Sequence, residues 1–293
     1  MRPALDWRSD GADWPHREAS RFIEAAGIRW HVQTMGQGPT LLLVHGTGAS
    51  THSWRDLMPL LAREFSCTAV DLPGHAFTTM PPSGRLSLTG IASGLAAMLR
   101  ESGVRPSVIV GHSAGAAIAA RLCLQEQVAA SSIVSLNGAF FPWTGVPGLV
   151  FPAVARLLAS TGMSSRLFAS YARSPGVVPR MLAQIGSRLD ARGVELYGRL
   201  ARNPRHVAGA LQMMADWNVL DLPASLPALS QALHLVAGAN DRSVLPEQAR
   251  RIQRLVPGAD LKLLAEVGHL AHEERPELVA RHVVDACKPQ LSI

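Results

Sequence analysis

VIVGHSAGAAIAARL, residues 108–122, is an apolar run, then a serine between glycines, then a string of small residues. SVIV at 107–110 reads as a strand buried on both faces, and the alanine-rich continuation reads as a helix. Between them, Gly111-His112-Ser113-Ala114-Gly115 fits G-x-S-x-G, the turn that lifts a serine hydroxyl above the end of a sheet. Small neighbours let the chain turn there, and the Ala114 N–H at the helix start is placed to donate to a developing oxyanion. On its own the pentapeptide could be an ordinary Gly/Ser turn. The strand before it and the helix after it favour a nucleophile elbow.

Working outward, strand-like and helix-like segments alternate. RFIEA and IRWHVQT open as an antiparallel pair, and LLLVH at 41–45, SCTAVD at 66–71 and SSIVSL at 131–136 read as further strands. Helices are expected around Trp54–Leu61, weakened by Pro59, and from Ile91 to Gly103. LHLVAG at 233–238 and LKLLAE at 261–266 resume the alternation, each with a helix behind it. A G-x-S-x-G serine needs an acid and a histidine later in the chain, in that order. Asp241 follows LHLVAG and His269 follows LKLLAE, both at strand carboxyl ends. His269 would take the Ser113 proton, and Asp241 would hold the imidazole tautomer. His45-Gly46-Thr47-Gly48 follows LLLVH, so the second oxyanion donor is assigned to the Thr47 N–H. His45, His52, His75, His112 and His272 are read as structural or loop residues.

From about 139 to 225 only helices and loops are legible, with five prolines between 142 and 179. The division is therefore 1–138 as the first part of an α/β core, 139–225 as a helical cap, and 226–293 as the second part. Residues 127–155 carry no charge, but Pro142, Pro147 and Pro152 argue against a membrane span. His112, Phe140, Phe141 and Trp143 are candidates for the pocket lining, and Leu149 and Phe151 for the entrance or the seam between cap and core.

The net charge is +6, and 26 of the 28 basic residues are arginine. Nine arginines (156, 166, 173, 180, 188, 192, 199, 202, 205) face only Asp190 and Glu195 between 140 and 215. Two readings are open. These arginines share a face at the pocket mouth and attract a flat, greasy anion or an anionic membrane, or they ride a solvated helix face.

The HG loop, DLPGH at 71–75, GHSAG, NDRSVLP at 240–246 and GHLAHEERPE at 268–277 together resemble the α/β-hydrolase superfamily. That resemblance implies a mostly parallel eight-stranded sheet flanked by helices, with a helical cap inserted after the sixth strand. Ala76 departs from the pattern, because related loops usually have glycine after DLPGH. WPHREASRFIEAAGIRWHVQTMG (14–36), LLLVHGTGASTHSWRDLMPLLA (41–62) and VIVGHSAGAAIAARL are similar to the hydrolase-like magnesium-chelatase accessory proteins of bacteriochlorophyll biosynthesis. This narrower resemblance implies a place around magnesium insertion into protoporphyrin, not a reaction.

Three functions use these residues. One is a serine hydrolase of an ester or related acyl bond. Another is a non-catalytic accessory protein that binds a tetrapyrrole or the chelatase. The third is cofactor-free haloperoxidase-like or C–C bond hydrolase chemistry. A dehalogenase or epoxide hydrolase would need Asp in place of Ser113. No cofactor is expected: Gly46-Thr47-Gly48 lacks the Gly-Lys of a phosphate loop, no dinucleotide fingerprint occurs, and no ligand set has metal spacing. Expected partners are a small acyl or tetrapyrrole-like substrate and magnesium-chelatase subunits, with peripheral membrane contact a further candidate and nucleic acid not expected. Three scattered cysteines and a polar N-terminal stretch suggest a cytoplasmic protein.

Overall fold

The computed structural model describes residues 4–84, 86–142 and 162–288. Eight strands form one sheet: β1 Ser20–Ala25, β2 Ile28–Met35, β3 Thr40–Val44, β4 Ser66–Val70, β5 Val108–His112, β6 Ser132–Leu136, β7 Ala232–Gly238 and β8 Asp260–Leu264. Their spatial order is β1-β2-β4-β3-β5-β6-β7-β8. β1 and β2 run antiparallel at one edge, β2 meets β4 antiparallel, and every later pairing is parallel. β5 runs past the apolar run at 107–110, because Gly111 and His112 stay in register with Ser135 and Leu136 of β6.

The continuous apolar character of β3 has a packing cause. Leu42 and Val44 point into a core shared with helices α2 (Leu88–Ser102) and α3 (Ala114–Leu124). Leu41 and Leu43 point into the opposite core, which contains Trp54 and Leu57. A strand covered on both faces has no solvent side to keep polar. The short helix α1 (Leu57–Leu61) tolerates Pro59, since the first turn of a helix needs no N–H from it. α2 begins on Ser87, whose side chain accepts from the Gly90 N–H, and ends on Gly103 at φ 71°.

Between β6 and β7 every element of the described residues is helical. These are α4 Gly162–Tyr171, α5 Val177–Gln184, α6 Ala191–Ala201, α7 Pro204–Asp216, α8 Leu222–Ser225 and a single 3-10 turn. α9 (Pro246–Leu255) follows β7, and α10 (Ala271–Glu274) and α11 (Pro276–Ala286) follow β8. Among the described residues no helix is long and apolar enough to cross a membrane. The parallel strands β3, β5, β6, β7 and β8 all end at one edge. That edge receives Thr47, Ser113, Asn137, Asp241 and His269 from the loops that follow.

Candidate active site

Ser113 lies between β5 and α3 with φ 51° and ψ −117°, a left-handed conformation unusual for a residue with a side chain. The neighbouring backbone holds it there. The Ser113 N–H donates to the Leu136 carbonyl at 3.0 Å, and the Ser113 carbonyl accepts from Ala116 and Ala139. Glycine is needed two residues on, where a Cβ on Gly115 would lie 2.0 Å from the Val44 carbonyl oxygen. The helix can therefore pack directly on β3.

Asp241 and His269 meet at this edge. His269 Nδ1 lies 2.8 Å from Asp241 Oδ2, and the carboxylate fixes Nδ1 as the protonated nitrogen. Asp241 is buried, and its other oxygen accepts from the Ser243 and Val244 N–H groups at 2.7 and 2.9 Å. Asn137 adds a bond from its Nδ2 to Asp241 Oδ2 at 2.7 Å. Asn137 was not singled out as a site residue from the sequence. Its signal is position: it follows β6 at the same sheet edge, at φ 50°. No hydrogen bond joins Ser113 to His269 among the described residues, although both line one cavity.

That cavity, about 710 Å³, is bounded by Thr47, Ser113, Ala114 and His269 on the core side. Ile185 and the stretch Met214–Leu220 close it from the helical insertion. Phe141 lines it, with Arg251 stacked 4.1 Å from the centre of the Phe141 ring. Two lining expectations need correction. His112 is buried behind the site, where its Nε2–H donates to the His269 carbonyl at 2.9 Å. Phe140 points into the main core, because its neighbours there are apolar and fully covered. Trp143, Leu149 and Phe151 lie outside the described residues.

The arginines do not gather at the mouth. None lines the cavity among the described residues, and Asp216 is the one acidic residue among those that do. Arg192 and Arg199 bind Asp13 and Glu195, which fastens the N-terminal segment onto α6. Arg202 donates to the Ala172 carbonyl, and Arg188 lines a separate polar cavity with Arg242, Glu266 and Glu274. Arg156 lies outside the described residues. Nor do the described residues hold any group of three His, Cys, Asp or Glu side chains placed for a metal ion.

Residues 39–276 match the family model described as the alpha/beta hydrolase fold. The chain belongs to the α/β-hydrolase-fold family. It is similar to the magnesium-chelatase 30 kDa subunit of Rhodobacter capsulatus, at 35% identity over 96% of this chain and 99% of that protein. It also resembles a pimeloyl-[acyl-carrier protein] methyl ester esterase of Vibrio vulnificus, at 25% identity over 84% of this chain and 93% of the esterase. Among solved structures, a putative lipase of Acinetobacter baumannii superposes with a TM-score of 0.78. Its identity is 20%, and the match covers 93% of this chain and 92% of the lipase. For this family member the likeness to the lipase concerns the fold alone.

Proposed function

We propose that this chain is a serine hydrolase acting on an ester or related acyl bond, and that it works beside magnesium insertion into a tetrapyrrole. The observation that carries the first part is the elbow. Ser113 stands in a strained turn on the same cavity as His269, and Asp241 holds the far side of that imidazole. In this reading Ser113 Oγ attacks the acyl carbon while His269 Nε2 takes its proton. The tetrahedral oxyanion accepts from the Thr47 and Ala114 N–H groups. Collapse expels the alcohol or thiol, which leaves with the proton from His269. Water then attacks the acyl-serine by the same route in reverse.

The mostly apolar cavity supports an acyl substrate, and residues 139–225 act as the cap that selects it. The 35% identical chelatase subunit supports the pathway assignment and makes chelatase subunits the expected partners. A second reading, a non-catalytic protein that holds a tetrapyrrole in this cavity, draws on the missing Ser113–His269 hydrogen bond. Such bonds commonly tighten only when substrate is present, so the hydrolase reading is preferred. Labelling with a fluorophosphonate decides between them. The wild type is expected to label and Ser113→Ala is not. An unreactive, folded wild type would leave the carrier reading standing.

A further inference from the structure

The loop that carries Thr47 is held by three buried histidines, one on each of three successive peptide planes. The Gly46 carbonyl accepts from His45 Nδ1–H at 2.7 Å. The Gly48 N–H donates to His75 Nε2 at 3.1 Å. The Gly48 carbonyl accepts from His206 Nε2–H at 3.0 Å. The hydrogen positions follow from the partners. A backbone N–H can only donate, so His45 Nε2, which receives the Leu72 N–H, is bare. By the same argument His206 Nδ1, which receives the Ala76 N–H at 3.1 Å, is bare. Each ring is neutral, with its hydrogen on the nitrogen that faces a carbonyl. Burial and the neighbouring His75 push His206 down to about 3. In a trans peptide the N–H points opposite to the preceding carbonyl. The bond to the Gly46 carbonyl therefore sets the direction of the Thr47 N–H, and the two bonds at Gly48 hold the next two planes, so that the loop cannot turn about Thr47.

His45 and His75 belong to the core, whereas His206 belongs to the helical insertion. It stands in the first turn of α7, whose rotation is set by Asn203 accepting from the N–H groups of Arg205 and His206. Three positions on one face of α7 touch the core loops. His206 reaches Gly48 and Ala76. At Gly209, three residues on, the helix lies so close to Gly74 that a Cβ would fall 2.1 Å from its carbonyl oxygen. Met213, a further turn on, receives the Thr47 hydroxyl at Sδ, 3.5 Å away. Spacings of three and four residues keep these on one stripe. Ala76 is the other half of the contact. It holds φ 40° where glycine would be unstrained, and its N–H goes to His206.

We propose that His206 is a positioning residue for the oxyanion loop, tying the orientation of the Thr47 N–H to the seating of α7 on the core. The proposal rests on the hydrolase reading for its catalytic consequence and on the hydrogen bonds alone for its structural one. Two variants separate the bonds. His206→Asn keeps an acceptor at the δ position for Ala76 and loses the donor to Gly48. His206→Gln keeps a donor at the ε position for Gly48 and loses the acceptor for Ala76. With p-nitrophenyl butyrate, His206→Asn is expected to lower kcat about tenfold with KM within about twofold, a fraction of the loss from deleting an oxyanion donor outright. His206→Gln should stay within about threefold of wild type. Amide hydrogen exchange over residues 45–50 gives a readout independent of activity, expected to speed up in His206→Asn and not in His206→Gln. Equal exchange in all three proteins overturns the clamp. Faster exchange with unchanged kcat overturns its catalytic role. An inactive wild type whose loop still responds as expected overturns the hydrolase reading and leaves the clamp standing.

Discussion

A serine at φ 51° costs roughly 1–3 kcal/mol, a cost that persists only where surrounding bonds over-determine the backbone. Leu136, Ala116 and Ala139 supply those bonds around Ser113. Asp241 is treated similarly, with four hydrogen bonds from Ser243, Val244, Asn137 and His269 on two oxygens. On the proposed mechanism its task is to fix the His269 tautomer. Asp241→Asn should therefore lower kcat by about 10⁴-fold with the fold intact, as expected for the wrong tautomer at such a site. Asn137→Ala should have a smaller effect, about tenfold in kcat, because three partners remain to hold the carboxylate. Steady-state kinetics with a p-nitrophenyl ester would check both, and an Asp241→Asn enzyme of near wild-type kcat would remove Asp241 from the mechanism. That Ser113, Asp241 and His269 come to one edge of the sheet was legible in the sequence, because each follows an apolar strand. Asn137 and His206 were not. An asparagine after a strand and a histidine early in a helix look like many others until their partners, 104 and 130 residues away in sequence, are in place.

At the scale of elements, the central strands were read almost to their ends because burial on both faces leaves runs such as LLLV at 41–44. The helical insertion was legible as helix but not as geometry. Its seam with the core is part apolar, as where Leu196 and Leu200 pack with Phe77, and part polar, and the polar contacts leave no periodic trace. The turn after α5 shows this: the Ile185 carbonyl accepts from the Arg242 and His269 N–H groups, and Ser187 Oγ accepts from Leu270. Another seam contact joins Tyr197 of α6 to Glu273 of α10, with the phenol donating to Oε1 at 2.7 Å. Burial raises the Glu273 carboxyl to about 8, against an ordinary value of 4.5. The sign follows from proton linkage. Between those values the folded state keeps a proton that the unfolded state has released, so stability falls as pH rises from 4.5 through about 8. Glu273→Gln cannot ionise and keeps an oxygen for Tyr197. Its melting temperature should match wild type near the acid end and exceed it at pH 8.5. Parallel melting curves for the two proteins across that range would show that Glu273 does not titrate in this seam.

For the whole molecule, the sequence gives an excess of positive charge but not where it goes. Arg192 and Arg199 are engaged with Asp13 and Glu195, and Arg121 with Asp221. The described residues that line the cavity meanwhile include one acidic residue, Asp216, and no arginine. Asp216 Oδ2 is occupied by the Leu86 N–H at 2.7 Å and the Gln212 amide at 2.9 Å. A charge at the cavity wall acts on a bound ligand over a few ångströms, in a medium less polar than water. Surface arginines act across solvent, where salt screens them beyond about 10 Å at 0.1 M. On the proposed hydrolase reading, the nearer Asp216 carboxylate is expected to decide the preference. A neutral p-nitrophenyl acyl ester should be turned over with a kcat/KM about tenfold above that of a similar ester bearing a free carboxylate on its acyl chain, one pK-equivalent of repulsion. Asp216→Asn, which retains an oxygen for Leu86 and Gln212, should bring the two within about threefold and leave the neutral ester nearly unchanged. Raising salt from 0.1 to 1 M should alter neither preference greatly, since the interaction lies inside the cavity. Preference for the anionic ester, or a ratio that Asp216→Asn does not move, would mean that arginines rather than Asp216 govern the charge of the substrate this protein accepts.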